Sequence, residues 1–178
     1  MQLRGGDSYY LNHRPGGGSM RISKIGWIFV FVLISVRGYT FPERPEPQQT
    51  PGELCALNDS DYEERRYPEK IIYCKRNVSD GKKNRVYEAY GIPKKCRGRY
   101  TIDHFVPLSI GGNNSDENLW PEHKLIKADR PDLEQEVFDA LRRGEIKQKE
   151  AIQIVIREKM NYHRQLRGQF ARGACDTN

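Results

Sequence analysis

The amino-acid sequence predicts an α+β fold, and three features of the chain predict it. Hydrophobic residues recur at helical spacing near 80–90, 131–143 and 148–164. Residues 100–106 are rich in β-branched and aromatic side chains, which favour a strand. A Gly- and Asn-rich segment at 111–116 predicts a loop before a second short strand at 118–121. This order of helix, strand, loop, strand, helix and helix indicates a small two-stranded element packed with helices.

Capping residues mark the ends of the predicted helices. Ser79 is suited to cap the first helix, and Gly91, which precedes an Ile-Pro pair, is suited to end it. We expect Asp129 to cap the next helix and Gly144 to end it. The last helix is expected to run from residue 148 to about residue 164.

Residues 20–38 have the order of an export signal. Arg21 and Lys24 precede twelve uncharged residues, 25–36, and the small residue Gly38 follows. A helix of this length rises only about 18 Å, which is well short of the roughly 30 Å hydrocarbon core of a membrane. The sequence therefore predicts a signal peptide cleaved near Tyr39. The alternative is a buried helix or strand of the folded domain.

The rest of the chain divides into three predicted segments. Residues 1–19 are polar and Gly-rich, and a signal peptide normally begins at the N-terminus. We therefore expect Met20 to be the true start and residues 1–19 to be an upstream mis-start. Residues 39–53 form a Pro-rich lead-in with little to pack, and the folded domain is expected at 54–178, with order beginning near Leu54.

The four cysteines agree with export. All of them follow the predicted cleavage site, and no two form a Cys-x-x-Cys pair that would indicate a zinc ribbon. Two disulfides in an oxidising compartment are the simpler interpretation, which places the mature protein in a periplasm or outside the cell. Three pairings are open to these residues, and the sequence does not choose among them. The cysteines are Cys55, Cys74, Cys96 and Cys175.

The charge of the chain is concentrated locally. The sequence has 30 basic and 24 acidic residues, a formal net charge of +6, but residues 1–38 hold five of the basic and one of the acidic residues. The remainder carries only about +2, so attraction to phosphate must come from local patches. Two patches exist, at 82–85 and at 94–99, and solvated loops are the alternative interpretation. The basic residues of the second patch are Lys94, Lys95, Arg97 and Arg99.

A chained motif follows the second basic patch. Asp103 and His104 are adjacent, and adjacent strand residues meet at one site only where the strand is irregular, as Pro107 makes it. The segment Asp-His-Phe-Val-Pro-Leu-Ser-Ile-Gly-Gly at 103–112, followed by Asn-Leu-Trp-Pro at 118–121, resembles the HNH endonuclease signature of the His-Me finger, or ββα-metal, superfamily. The resemblance covers about residues 100–140 and implies a ββα-metal core at about 100–143 with additional helices.

The resemblance implies a metal-dependent endonuclease that hydrolyses the phosphodiester bonds of DNA, with RNA as a further candidate. It places Asp103 at the metal-ligand position, His104 at the general base and Asn118 at the central Asn that holds the loop. One divalent cation is implied, Mg²⁺ or else Mn²⁺. A neutral His can take a proton from water, and a hard cation on a carboxylate can neutralise a phosphate.

The sequence departs from the family at the last metal ligand. The expected spacing falls near Lys127, and a protonated Lys cannot bind a metal. His123 and Asp129 are the candidate substitutes, although an exposed polar residue and a helix cap explain them equally well. Lys124, Lys127 and Arg130 are expected to face phosphate along with the basic residues of 94–99.

Two functions from different classes follow from this sequence. The first is an exported, monomeric HNH endonuclease that has no stable association with membranes. The second is a catalytically inactive HNH-like module that binds nucleic acid outside the cell, which the altered ligand position favours. Cleavage of DNA with and without a chelator separates the two.

Overall fold

The computed structural model describes residues 42–161, so the predicted signal peptide, the predicted mis-start and Cys175 lie outside the described residues. The α+β prediction is confirmed, with two separate antiparallel pairs of strands and four α-helices in this part of the chain. No helix among residues 42–161 is long and apolar enough to cross a membrane. The strands are β1 (Tyr62–Arg66), β2 (Ile71–Cys74), β3 (Tyr100–His104) and β4 (Leu119–His123). The helices are α1 (Asp80–Ala89), α2 (Lys124–Ala128), α3 (Leu133–Arg143) and α4 (Gln148–Met160).

Strands β3 and β4 pair antiparallel around the predicted loop. The register joins Tyr100 to His123 at one end and His104 to Leu119 at the other. Gly111 has a φ of 95°, and a side chain on Gly112 would collide with the carbonyl oxygen of Val106. The Gly-Gly pair is therefore required, because it lets the loop turn and lie against the end of β3.

The β1–β2 hairpin was not predicted from the sequence. Its turn contains Tyr67 and Lys70, whose φ angles of 64° and 58° are unusual for residues other than Gly. A disulfide joins Cys55 to Cys74 at the end of β2, so the prediction of disulfides is confirmed for this pair. Cys96 is also disulfide-bonded.

The helix boundaries agree with the sequence in part. Ser79 caps α1 by accepting a hydrogen bond from the backbone N–H of Lys82, and Gly144 ends α3 with a φ of 71°, as predicted. Asp129, however, closes the unpredicted helix α2, and Asp132 precedes α3 instead. Helix α4 ends at Met160, earlier than predicted, because Asn161 has an extended backbone.

Two of the three hydrophobic clusters in the described part of the chain flank the end of β3. The larger cluster packs α3 and α4 against β2 and the loop that follows His104, and the smaller one packs α1 against β3 and β4. The buried residues of the larger cluster are Ile71, Val106, Ile110, Val137, Leu141, Ala151 and Val155. Those of the smaller cluster are Val86, Ile102 and Leu119. The end of β3, where Asp103 and His104 lie, is therefore held from both sides.

The Pro-rich lead-in packs against the domain. Thr50 is fully buried, and its hydroxyl donates a hydrogen bond of 3.0 Å to the carbonyl oxygen of Leu119. The same hydroxyl lies 2.7 Å from the hydroxyl of Tyr90 on the opposite side. The sequence predicted that ordered structure begins near Leu54. In the structure it begins earlier, because the lead-in is already packed at Thr50.

Candidate active site

Asp103 and His104 lie at the end of β3, and their side chains leave the strand on opposite faces. Asp103 pairs with Trp120 and shares its face with Glu122, whereas His104 pairs with Leu119 on the other face. Only 8% of Asp103 and 4% of His104 is exposed. A pocket of about 180 Å³ opens where the strand ends. Its lining residues are Arg76, Asp103, His104, Pro107, Leu108, Ser109 and Glu134.

Two lysines hold the carboxylate of Asp103. Lys127 donates a hydrogen bond of 2.8 Å to Oδ1, and Lys159 donates one of 2.7 Å to Oδ2. Burial alone would raise the pKa of this carboxyl. The two ammonium groups outweigh burial and hold the pKa well below its usual range. Asp103 is therefore a carboxylate at neutral pH.

Lys159 reaches this carboxylate from α4 and is almost fully buried, with 1% of its side chain exposed. Its ammonium also donates to the carbonyl oxygen of His104 at 2.6 Å and to Oε1 of Glu134 at 2.8 Å. An ammonium has three donors, so these three bonds account for all of them. Lys159 therefore ties α3 and α4 to the end of β3.

Glu122 extends the same ion network behind Asp103. Its carboxylate accepts hydrogen bonds from Arg130 and, at 3.4 Å, from Lys127. Burial raises the pKa of Glu122, and the negative charge of Asp103 raises it further. Three acidic side chains and three basic side chains thus lie together at this end of the fold. They are Asp103, Glu122 and Glu134, and Lys127, Arg130 and Lys159.

The imidazole of His104 is held at both nitrogens. Nε2 lies 3.1 Å from Oδ1 of Asn114, and Nδ1 lies 3.1 Å from the guanidinium of Arg76. The amide of Asn114 cannot be reversed, because its Nδ2 donates to the carboxylate of Asp61 and to the carbonyl oxygen of Lys75. Oδ1 can only accept and a guanidinium can only donate. The proton of the neutral ring is therefore on Nε2, and Nδ1 carries a lone pair.

This environment keeps His104 neutral. Burial lowers the pKa of the imidazole to about 4, and the charge of Arg76 lowers it in the same direction, whereas the bond to Asn114 opposes the shift. A second proton would go on Nδ1, directly against a permanent cation. At neutral pH the ring is therefore in the form that can accept a proton.

Asn118 is fully buried and holds the loop that follows His104. Its Oδ1 accepts from the backbone N–H of Val106 at 2.8 Å, and its Nδ2 donates to the carbonyl oxygens of Val106 and Asn113, both at 2.9 Å. The backbone N–H of Phe105 also donates to the carbonyl oxygen of Asn118. The HNH resemblance implies that Asn118 holds this loop, and these bonds show how its side chain contacts the loop.

Neither of the two substitute ligands is brought to Asp103 by these strands. His123 pairs with Tyr100 at the opposite end of β3–β4 and on the opposite face, where the two rings make an edge contact at 5.0 Å. Its Nδ1 accepts from the backbone N–H of Leu125, so it caps α2. Asp129 caps the C-terminal end of the same helix. Lys127, from the last turn of α2, reaches the carboxylate instead.

The basic residues proposed to face phosphate fall into three groups. Arg97 is hydrogen-bonded to Asn84 and the carbonyl oxygen of Ile92, and Arg130 is bound to Glu122, so both serve the fold. Lys127 is paired with Asp103 but remains half-exposed. The others are exposed: Lys94, Lys95, Arg99 and Lys124. Burial lowers the pKa of His123, and the positive charges of Arg99 and Lys124 lower it further. These two residues therefore lie near the end of β3–β4 that is opposite His104.

Arg76, Asn114 and Lys159 were not predicted as site residues from the sequence. Lys159 lies 56 residues from Asp103, and Arg76 lies 28 residues from His104. No local pattern connects residues at these separations. The one signal that bears on Arg76 is Cys74, two residues before it, because the disulfide fixes the end of β2 beside the loop.

Neither candidate metal site fits a divalent ion in this arrangement. Both oxygens of Asp103 are paired with ammonium groups, and both ring nitrogens of His104 have partners. Cys55, Asp59 and Cys74 form a second group with the spacing of metal ligands. Its two sulfur atoms are bonded to each other, so they are not available as thiolates.

Comparisons with known proteins assign no relative to the chain. No family model, curated protein or solved structure matches it.

Proposed function

We propose that the protein is an HNH-type endonuclease that hydrolyses phosphodiester bonds of nucleic acid, with His104 as the general base. The observation that carries the proposal is the neutral imidazole beside a guanidinium at the wall of an open pocket. A neutral base and a cation with an affinity for phosphate are two groups that promote the hydrolysis of a phosphodiester.

Arg76 is the residue that binds the scissile phosphate in this proposal. Guanidinium groups bind phosphate through two parallel hydrogen bonds, which are stronger than a single bond to a neutral imidazole. In this structure one guanidinium nitrogen of Arg76 lies 3.1 Å from Nδ1 of His104, and another donates a hydrogen bond of 3.1 Å to the carbonyl oxygen of Ile102. When Arg76 turns to a phosphate in the pocket, Nδ1 of His104 is uncovered.

The chemical step then runs on the residues of the pocket. Nδ1 of His104 takes a proton from a water molecule as the water oxygen attacks phosphorus. The bond from phosphorus to the leaving oxygen breaks, and the leaving oxygen takes a proton from solvent. Arg76 neutralises the charge that builds on the phosphoryl oxygens, and no step requires a metal ion.

The surrounding fold supports the same proposal. An antiparallel pair with a long loop and a helix packed against it is the arrangement implied by the ββα-metal resemblance. Asn118 and Gly112 hold the loop close to the end of β3, which keeps the imidazole in one orientation. Export to an oxidising compartment is part of the proposal, and the Cys55–Cys74 disulfide supports it.

A second candidate function is an inactive nucleic-acid-binding module. It is favoured by the extent to which the hydrogen-bonding groups of Asp103 and His104 are already occupied within the fold. In that case the exposed basic residues would bind phosphate and no bond would be cut. DNA is the first substrate to test for both candidates, with RNA as the second.

One experiment separates the two functions. Purified protein is incubated with supercoiled plasmid DNA, and with a labelled duplex whose fluorescence anisotropy reports binding. The endonuclease proposal predicts both binding and conversion to nicked or linear DNA. Binding without conversion would establish the module instead, and the absence of both would contradict the two proposals together.

A further inference from the structure

The cation that neutralises Asp103 is a lysine in this structure. Lys127 lies near the position where the HNH resemblance expects the last metal ligand, and its Nζ contacts the carboxylate that the resemblance assigns to the metal. Lys159 contacts the other oxygen of the same carboxylate. We infer that Lys127 and Lys159 take the place of the divalent cation, so that Asp103 binds no metal ion and the pocket acts on phosphate through organic cations. The inference deepens the proposed function and rests on it for the role of the pocket.

The geometry at Asp103 opposes a divalent ion. Mg²⁺ requires oxygen ligands at about 2.0–2.1 Å. An ion at this distance from Oδ1 would lie no more than about 5 Å from Nζ of Lys127, since that nitrogen is itself 2.8 Å from the same oxygen. Repulsion between the two cations is strong at such a distance in a site that is mostly screened from water.

A metal ion could bind Asp103 only by displacing both lysines, and the structure opposes this displacement. Lys127 has 49% of its side chain exposed, so it can leave Oδ1 for solvent. Lys159 has 1% exposed and uses its three donors on Asp103, Glu134 and the backbone of His104. Removing it would leave three buried or half-buried acceptors without a partner, which is costly.

The charges of the surrounding network are already balanced. Three carboxylates face three cations in this part of the described chain, and each carboxylate contacts at least one of the cations. A divalent ion would add two positive charges to a balanced and largely buried cluster. Hard divalent ions bind through carboxylate and carbonyl oxygens, and the carboxylates of this network are already paired with cations.

The test uses the histidine next to Asp103 as a probe for Mn²⁺. A paramagnetic ion bound to Asp103 would broaden the ring NMR signals of His104 at a small fraction of one equivalent. His123 is the internal control, because its register partner Tyr100 is three residues from Asp103 along β3, so its ring lies farther from an ion on Asp103 than the ring of His104 does. We expect the full chain to show no broadening of His104 beyond that of His123. Selective broadening of His104 that saturates at one Mn²⁺ per chain would overturn the inference.

A second arm tests Lys159 as the resident cation. Lys159→Met is compared with Lys149→Met, an exposed lysine of the same helix. We expect the first variant to lower the melting temperature clearly and the second to leave it nearly unchanged. Equal melting temperatures for the two variants would contradict the inference. The Mn²⁺ measurement on the parent protein decides it even where Lys159→Met fails to fold.

Failure of the inference and failure of the proposed function give different results. A protein that cuts DNA and binds Mn²⁺ at His104 keeps the proposed function and loses the inference. If the protein cuts no DNA and shows no selective broadening, the proposed function is contradicted. The inference that the lysines take the place of the metal ion then still holds.

Discussion

The guanidinium of Arg76 lies 3.1 Å from Nδ1 of His104 and covers the lone pair of the imidazole. Arg76 follows β2 and His104 ends β3, so the contact joins the two hairpins at the wall of the pocket. The disulfide at Cys74 fixes the end of β2 two residues earlier. The β1–β2 hairpin thus supplies a residue to the candidate site and does not merely flank it.

The first prediction concerns the binding of phosphate by Arg76. Arg76→Ala should weaken binding of a DNA duplex by about 10- to 100-fold, because a hydrogen-bonded charge pair contributes about 1.5–3 kcal/mol. Arg76→Lys should recover part of the loss, since it keeps the charge and loses the second hydrogen bond. Arg142→Ala is the matched control, because Arg142 is exposed, paired with Asp139 and outside both basic patches. Equal affinities for Arg76→Ala and Arg142→Ala would remove Arg76 from the proposed site.

The second prediction concerns the stability of the protein at acidic pH. The folded pKa of His104 is about 4, below the usual value of about 6.5. The unfolded chain therefore binds more protons between these values, so the contribution of His104 is complete above pH ~6.5 and is lost as the pH falls towards 4. The parent should lose about 3 kcal/mol of unfolding free energy from this source.

Denaturant unfolding of the parent and of His104→Gln at several pH values between 4 and 7.5 measures this contribution. The variant should show a shallower decline, because its side chain does not titrate. Parallel curves for the two proteins would mean that the imidazole is not held neutral by burial and Arg76.

The third prediction concerns the loop clamp. Asn118→Ala leaves the backbone N–H and carbonyl oxygen of Val106 without side-chain partners in the interior. We expect a loss of about 2–5 kcal/mol in the free energy of unfolding. Asn58→Ala, at an exposed position, should change it by less than about 0.5 kcal/mol. A small effect at Asn118 would show that the loop holds its conformation without the clamp.

The fourth prediction concerns the disulfide. Cys55 and Cys74 are 19 residues apart, and the backbone N–H of Cys55 donates to the carbonyl oxygen of Gly111 in the loop. Replacing both cysteines with Ala should lower the free energy of unfolding by about 3 kcal/mol, since the unfolded chain gains freedom. The double variant is preferable to a reductant, because Cys96 is also disulfide-bonded. An unchanged unfolding midpoint would exclude a stabilising role for this pair.

The sequence predicted the elements whose signals are local. The Ser79 cap, the strand before Pro107 and the glycine at residue 144 each depend on a few neighbouring residues, and each is present. Helix α2 was missed because its five residues are too short to show periodicity. Because α2 was missed, Asp129 was assigned to the start of α3. It caps the end of α2 instead.

The candidate site was predictable only as far as the motif extends. Asp103, His104 and Asn118 lie in one contiguous segment, so their proximity follows from the strand, loop and strand order. Their partners do not, because Arg76 and Lys159 arrive from β2 and α4 through packing of the whole fold. The sequence showed that Lys127 departs from the expected ligand, but not that its ammonium reaches Asp103.

The measurement that tests the central claim is the rate at which His104→Ala cuts DNA. If His104 is the general base, the variant should bind a labelled duplex as the parent does and cleave plasmid DNA about 10²–10⁴ times more slowly. His123→Ala is the matched control, because this histidine lies on the same pair of strands at the opposite end, and it should cleave at the parent rate. Cleavage by His104→Ala at the rate of the parent and of His123→Ala would contradict the assignment of the active site.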